Sequence, residues 1–572
     1  MSKLIPAALF GIGAAMAAKY LKDNKSNISS AAKKAINLTK LTYPIDSTYD
    51  NGVAQTPPMG WSSWNLFRNK IDENLIYEMG VALKESGLLD CGYKYLNIDD
   101  CWHSSMRDKN GRLQGDLVTF PSGIKALVEK VNALGLKLGI YTSNGTLTCE
   151  DLPASLGYES VDADTFAEWG VEYFKYDFCH NIPIPKEAPA IEKLTFSLAG
   201  SSDYIECRPD DAVLSGEAAL VKDSSLSEGK YISGLSANAG ACEWLNVYAD
   251  EAGEYNLTLC IRKKKNTDKY IEIKINGTDV YKTTLPATKS FTPEGRHQVK
   301  VYLNKGINTV KLYNPVASKQ DSAAIQYINM GKELKRATKE YAEKNGTEEK
   351  PIVYSICEWG RNHPWKWGRQ AGNLWRTTGD IKPFWASVLA IYEFNVRLYK
   401  HSGVGGWNDP DMLEVGNGKL TLEENKSHFT LWCMMAAPLI LGNDIRAFIK
   451  SDGSVDTENE IYKILSNKEL ISVDQDSCGI QGRRIKSNGM HDVLVKPLEN
   501  NEFVLCFFNK SSEPFVIEHS LRDIVFRPFV TTPYAKRYSV KDLWSGETET
   551  VEDIVSATVQ GHGVRVFRVK AI

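Results

Sequence analysis

From Thr56 onward, eight short apolar runs, each closing on polar or reactive residues, alternate with stretches of helical spacing, and this rhythm constrains the fold more than any other feature. The runs are PPMGWSSWN (57–65), YKYLNIDDCW (93–102), LKLGIYT (136–142) and VEYFKYDFC (171–179), then IVYSICEWG (352–360), NLWRTTGDI (373–381), VGGWNDPDML (404–413) and APLILGNDI (437–445). Helical periodicity fills the gaps, as at 75–89 and 123–134. Eight strand and helix units in succession predict an α/β fold, a (β/α)8 barrel, and such barrels carry their chemistry at the carboxyl ends of the strands.

One gap breaks the rhythm. Roughly 170 residues separate the fourth and fifth runs, far more than one βα unit needs. Within it the period becomes two: Tyr255, Leu257, Leu259 and Ile261, then Ile271, Ile273 and Ile275 before an Asn276-Gly277 turn, then Val299, Val301 and Leu303. These are hairpin signals, so an inserted β-sandwich is expected. From about Ile471 the pattern is β again, with HDVLVKPL, EFVLCFFN and GVRVFRVK between polar turns. The expected organisation is a lead-in over 1–45, barrel over 46–187, inserted sandwich over 188–330, barrel resumed over 331–470, and an antiparallel β domain over 471–572. The lead-in holds an apolar run at 4–18 with lysines on both sides. It is short for a bilayer span and reads as a signal-peptide core, an interfacial anchor or neither.

Composition excludes several classes. A net charge of −3 offers no basic excess for nucleic acid. The nine histidines form no HExxH pair and no Cys/His cluster, and no phosphate-cradling glycine loop follows a strand, so neither a metal nor a cofactor is expected. Thirteen tryptophans and 26 tyrosines suit the apolar faces of sugar rings as well as they suit a large core.

The strand ends supply the chemistry. Collected together they give Trp64, Asp99, Asp100, Lys175, Asp177, Cys357, Glu358, Trp359, Arg376, Asp380, Asp409 and Asp411. Taken alone, Asp177 reads more readily as a helix cap or as a partner of Lys175 than as a nucleophile. A dozen such residues at one barrel mouth change that reading. Carboxylates that grip vicinal hydroxyls, with two flanking an anomeric carbon, are what glycosidic cleavage requires. A Mg²⁺ or Ca²⁺ cage is the other use of clustered carboxylates, and Lys175 and Arg376 among them argue against it.

Eight motifs, TPPMGWSSWN, YLNIDDCW, LKLGIYT, YFKYDFC, SICEWG, LWRTTGDI, GGWNDPDML and APLILGNDI, resemble in order those of glycoside hydrolase family 27, the α-galactosidase and α-N-acetylgalactosaminidase family. The resemblance implies a barrel with a C-terminal antiparallel β domain, and a retaining exo-glycosidase acting on the α-galactosyl ends of oligosaccharides or glycans. It implies Asp177 as nucleophile and Asp380 as general acid/base. Asp99 and Asp100 would hold the 4- and 6-hydroxyls with Lys175 assisting, and Trp64 would cover the ring. Glu358, Arg376 and Asp411 would line the side nearer the 2-hydroxyl and the acid/base, with Cys357 and Trp359 also among the substrate-binding residues. Galactose specificity would then rest on Asp99, Asp100 and Glu358, with Glu358 standing where an N-acetyl group would need room. Lys175 is expected to keep Asp177 ionised, and Asp411 to raise the pKa of Asp380.

The same resemblance implies a Cys149–Cys179 disulfide. A second bridge of the family, from Cys101 to a cysteine after the first strand motif, is missing, because Phe67 and Arg68 stand there. One bridge lost among 11 cysteines points to a cytoplasmic or cell-associated chain over a secreted one. The insert carries phrases, EAGEYNLTLCIR and GINTVKLYN, similar to carbohydrate-binding modules of families 6 and 35. Other readings are an α-N-acetylgalactosaminidase, a β-L-arabinopyranosidase, whose sugar lacks the hydroxymethyl group that the Asp pair would hold, and a non-catalytic sugar-binding protein.

Overall fold

The computed structural model describes residues 41, 48–198, 201, 203–262, 267–285 and 295–572; the apolar run at 4–18 lies outside them. The chain divides into two compact units, one holding Pro183–Ile325 and the other Ile45–Ile182 with Gln326–Ile572.

In the second unit, eight parallel strands form the expected barrel: β1 Met59–Ser62, β2 Tyr95–Asn97, β3 Lys137–Ser143, β4 Tyr173–Asp177, β5 Val353–Ile356, β6 Leu374–Arg376, β7 Trp407–Asp409 and β8 Leu439–Leu441. Their order in the sheet is 7-6-5-4-3-2-1-8. The seam between β7 and β8 is bridged by Leu413, which lies in parallel register with Leu441 and whose N–H donates to the Ile440 carbonyl at 2.8 Å. Most strands are shorter than their runs, and the polar residues at their last positions and on the loops just beyond build the mouth.

Strand β4 shows how alternation separates core from site. Phe174 and Tyr176 are fully buried, and they pack against Phe166 and Tyr327 of the surrounding helices. Burial of each such ring stabilises by about 1.5–3 kcal/mol. Tyr173, Lys175 and Asp177 take the alternate positions, with Lys175 and Asp177 among the lining of the cleft at the mouth. Gly139 on β3 is required by packing, since a Cβ there would lie 1.9 Å from the Asn97 side-chain oxygen.

Side chains cap the N-termini of the barrel helices. Asp72 accepts from the Leu75 N–H at the start of helix Glu73–Glu85, and Thr421 and Glu424 form a reciprocal capping box on helix Leu422–Met434. Helix Lys468–Asp474 carries helical structure past residue 471, and the C-terminal strands begin at Arg483. They form a six-stranded antiparallel sheet and a two-stranded ribbon around a core that includes Phe503, Leu505, Phe507 and Val569.

The Pro183–Ile325 unit is a β-sandwich. One sheet contains Gly240–Ala249, Lys269–Ile275 and Gly306–Tyr313, the other Ala190–Leu198 and Gly253–Arg262. Leu257, Leu259, Ile271, Ile273, Val310 and Leu312 share one apolar core between the sheets, which is what the period-two pattern encodes.

Candidate active site

A cleft of about 170 Å³ opens at the carboxyl ends of the barrel strands. Trp64, Asp99, Asp100, Lys175, Asp177, Trp359, Arg376, Asp380 and Asp411 all line it. Nine of the sequence-predicted residues thus meet in one place, contributed by loops after β1, β2 and β5–β7 and by β4 and β6 themselves.

The floor is a network of charge-assisted contacts. Lys175 Nζ lies 2.7 Å from Asp99 Oδ2, and the Asp100 N–H donates to Asp99 Oδ1 at 2.9 Å. Asp100 accepts from the Cys101 and Glu150 N–H groups at 2.8 and 3.1 Å. Its burial nevertheless pushes its pKa up to about 6. Asp177 accepts from the Tyr141 hydroxyl and from the Phe178 N–H, both at 2.9 Å, while its carbonyl accepts from the Tyr327 hydroxyl at 2.9 Å. These contacts fix one carboxylate orientation on a rigid strand.

Lys175 does not win the balance at Asp177. Burial raises the pKa of that carboxyl above its ordinary value, with Lys175 and the Tyr141 hydrogen bond pulling the other way and Asp99 adding to the rise. Across the cleft the order is also reversed from expectation. The Arg376 guanidinium reaches Asp411 at 2.7 Å and Asp380 at 3.1 Å. At Asp380, burial raises the pKa, but Arg376 and Lys175 outweigh it and hold the carboxyl below its ordinary value. At Asp411, fully enclosed, burial prevails and the pKa is raised. The pair shares one guanidinium and titrates together. Sequence reading counted the charges correctly and could not weigh desolvation against them.

Three of the twelve strand-end residues do not line the cleft: Asp409, which is buried, and two that stand behind the cleft wall. Glu358 is fully buried, its carboxylate turned back to accept from the Asn362 N–H at 2.9 Å on both oxygens. Burial pushes its pKa up to about 8 against those bonds. Cys357 is buried, its Sγ 3.6 Å from Arg376 Nη1. Trp359 forms the wall instead, on a backbone at φ 58°, with Phe178 edge-on at 6.3 Å and Arg361 over its ring at 4.5 Å. Glu358 is therefore not placed to exclude an N-acetyl group. Left-handed backbone recurs at Cys101, Trp359 and Asp411, a clustering typical of functional loops.

Cys149 and Cys179 are disulfide-bonded with Cα atoms 5.1 Å apart, and Cys101 is a free thiol. Their sulfurs and Asp177 come together, but the bridge leaves no thiolate for a metal. Lining residues that sequence reading did not single out include Tyr141, Asn65, Arg68, Lys382, Met412 and Glu414. Tyr141 was reachable by register, since it pairs with Lys175 across β3 and β4.

The chain matches the family model described as alpha galactosidase A over residues 56–201 and 294–476, and that of the alpha galactosidase C-terminal beta sandwich domain over 488–569. The gap between the first two segments falls in the inserted sandwich. An α-galactosidase of Cyamopsis tetragonoloba is 31% identical over 91% of this chain and 87% of its own length. Alpha-galactosidase 3 of Arabidopsis thaliana is 32% identical over 91% of this chain and 82% of its own. Among solved structures, α-galactosidase I from Mortierella vinacea aligns with a TM-score of 0.61 at 28% identity, covering 91% of this chain and 98% of its own. On the barrel, the cleft and these matches together, the chain belongs to the α-galactosidase family, glycoside hydrolase family 27.

Proposed function

We propose that this enzyme removes terminal α-D-galactosyl residues by double displacement, with Asp177 as nucleophile and Asp380 as general acid/base. The observation that carries the reading is the presence of these two carboxylates in one cleft, each on a different support: Asp177 locked by Tyr141 and Phe178, Asp380 exposed and paired with Arg376. Asp177 attacks the anomeric carbon as the bond to the leaving oxygen breaks and Asp380 protonates that oxygen. Asp380 then takes a proton from water, which attacks the β-linked galactosyl enzyme and restores the α configuration.

The proton that Asp380 donates is drawn from the Asp380–Asp411–Arg376 cluster. A glycosidic oxygen entering beside Asp380 loosens the 3.1 Å contact to Arg376, and desolvation then favours the protonated acid. The buried Asp99 and Asp100 carboxylates suit an axial 4-hydroxyl and a 6-hydroxyl, since a sugar lacking either leaves a buried acceptor unpaired. That favours galactose over arabinopyranose.

The test compares kcat/KM on aryl α-galactoside, α-N-acetylgalactosaminide, α-glucoside and β-L-arabinopyranoside. The galactoside is expected to be best by at least about tenfold, one lost hydrogen-bond partner being worth roughly 1–3 kcal/mol. A different best substrate overturns the assignment of the pocket.

A further inference from the structure

Two cations of the cleft have no ion-pair partner among the described residues, although the charge of Lys382 is felt by Asp380 and Glu414. Arg68 and Lys382 both line it, both are exposed, and neither makes an ion pair among the described residues. The other two bases of the lining are committed, Lys175 to Asp99 and Arg376 to Asp380 and Asp411. Glu414, a further acid of the lining, is buried at 3% exposure and accepts from the Asn417 amide at 2.8 Å, while Asp380 is the exposed acid and pairs with Arg376.

Both cations sit on anchored backbone. Arg68 caps helix Trp64–Phe67 at φ 51°, ψ −122°, its N–H on the Trp64 carbonyl at 3.0 Å. An arginine held in a conformation that L residues rarely adopt calls for a use of its side chain. Lys382 follows Asp380 by two residues on a loop pinned by Ile381 N–H to Asp411 at 2.8 Å and by Lys382 N–H to Ser387 Oγ at 2.9 Å. A general acid must reach the leaving oxygen, so the residues beside Asp380 face the leaving group. An anion on the galactosyl ring itself would meet Asp99, Asp100 and Asp177. An anion on the aglycone would meet Arg68 and Lys382.

We propose that Arg68 and Lys382 form a leaving-group subsite for an aglycone bearing an oxyanion, such as a sugar acid or a sulfated sugar. This rests on the α-galactosidase reading and adds the class of aglycone to it.

The test measures kcat/KM for galactosyl-α-1,6-glucose, its gluconate counterpart and its glucose 3-sulfate counterpart, all with a primary hydroxyl leaving group. The expected result is a preference of about tenfold for an anionic aglycone at low salt, falling toward unity at about 0.5 M salt as the exposed charges are screened. Preference for the carboxylate or for the sulfate identifies which oxyanion the site takes. In Arg68→Gln and Lys382→Gln the anionic-to-neutral ratio should drop, a readout that partial loss of overall activity does not move. A wild-type ratio at or below one, or a ratio insensitive to salt, overturns the subsite while cleavage of the neutral disaccharide leaves the galactosidase reading intact. Failure to cleave any α-galactoside overturns both.

Discussion

Glu358 shows how far a single carboxylate can depart from its apparent role. Its motif places it at a strand end among catalytic residues, yet the left-handed turn at Trp359 and Gly360 folds it inward, where Asn362 satisfies it. Burial raises its pKa to about 8, so the folded protein favours the neutral acid. The stability this group contributes is full below its unfolded pKa and is lost as pH rises through about 8. Glu358→Gln should therefore match the wild type in melting temperature near pH 5 and exceed it near pH 9, without gaining activity on α-N-acetylgalactosaminides. A Tm difference that does not grow with pH contradicts the buried neutral acid. The strand-end rule brings Asp99, Asp100, Asp177, Asp380 and Asp411 to one cleft because those positions follow from alternation and strand polarity. It could not locate Glu358 or weigh Asp177 against Lys175, because local turn geometry and desolvation depend on packing that no spacing reveals.

At the scale of elements, the barrel is tied to the C-terminal sheet by a charged knot. Asp492, fully enclosed, accepts from the Tyr392 hydroxyl at 2.8 Å and pairs with Arg484 and Lys510 at 3.0 Å, while both cations also reach Glu393 at 2.7 Å. Burial raises the pKa of Asp492, but its hydrogen bonds and the two cations overcome this and hold it below its ordinary value. Its contribution is present above the unfolded carboxyl pKa and fades as pH falls through the folded value. Asp492→Asn leaves Lys510 and Arg484 short of a counter-charge and should cost about 3–5 kcal/mol by urea denaturation at neutral pH, with the deficit shrinking in acid. A change under about 0.5 kcal/mol would mean that the knot is solvated in solution. None of these partners stands out in the sequence, since strands HDVLVKPL and EFVLCFFN announce their pairing through apolar alternation and say nothing of which helix they meet.

At the scale of the molecule, the inserted sandwich interrupts the barrel chain without opening the barrel. Its two attachment points meet: Gln326 donates to the Ile182 carbonyl at 2.9 Å and accepts from Asn181 at 3.0 Å. Replacing residues 183–325 with a flexible linker of about six residues should therefore leave kcat/KM on small aryl α-galactosides within about threefold, as read from initial rates; loss of activity with loss of folded signal would show the insert to be part of the barrel's folding unit. The break in periodicity made this insertion legible, because a period of two and a period of 3.6 cannot share one element. The proposed mechanism rests on the Asp177 carboxylate as the group that takes the sugar. Trapping with 5-fluoro-α-galactosyl fluoride, followed by peptic digestion and mass spectrometry, tests it most directly. A galactosyl adduct on the peptide carrying Asp177 is the predicted result; an unlabelled enzyme that still turns the reagent over, or an adduct on Asp380 or any other residue, would contradict it.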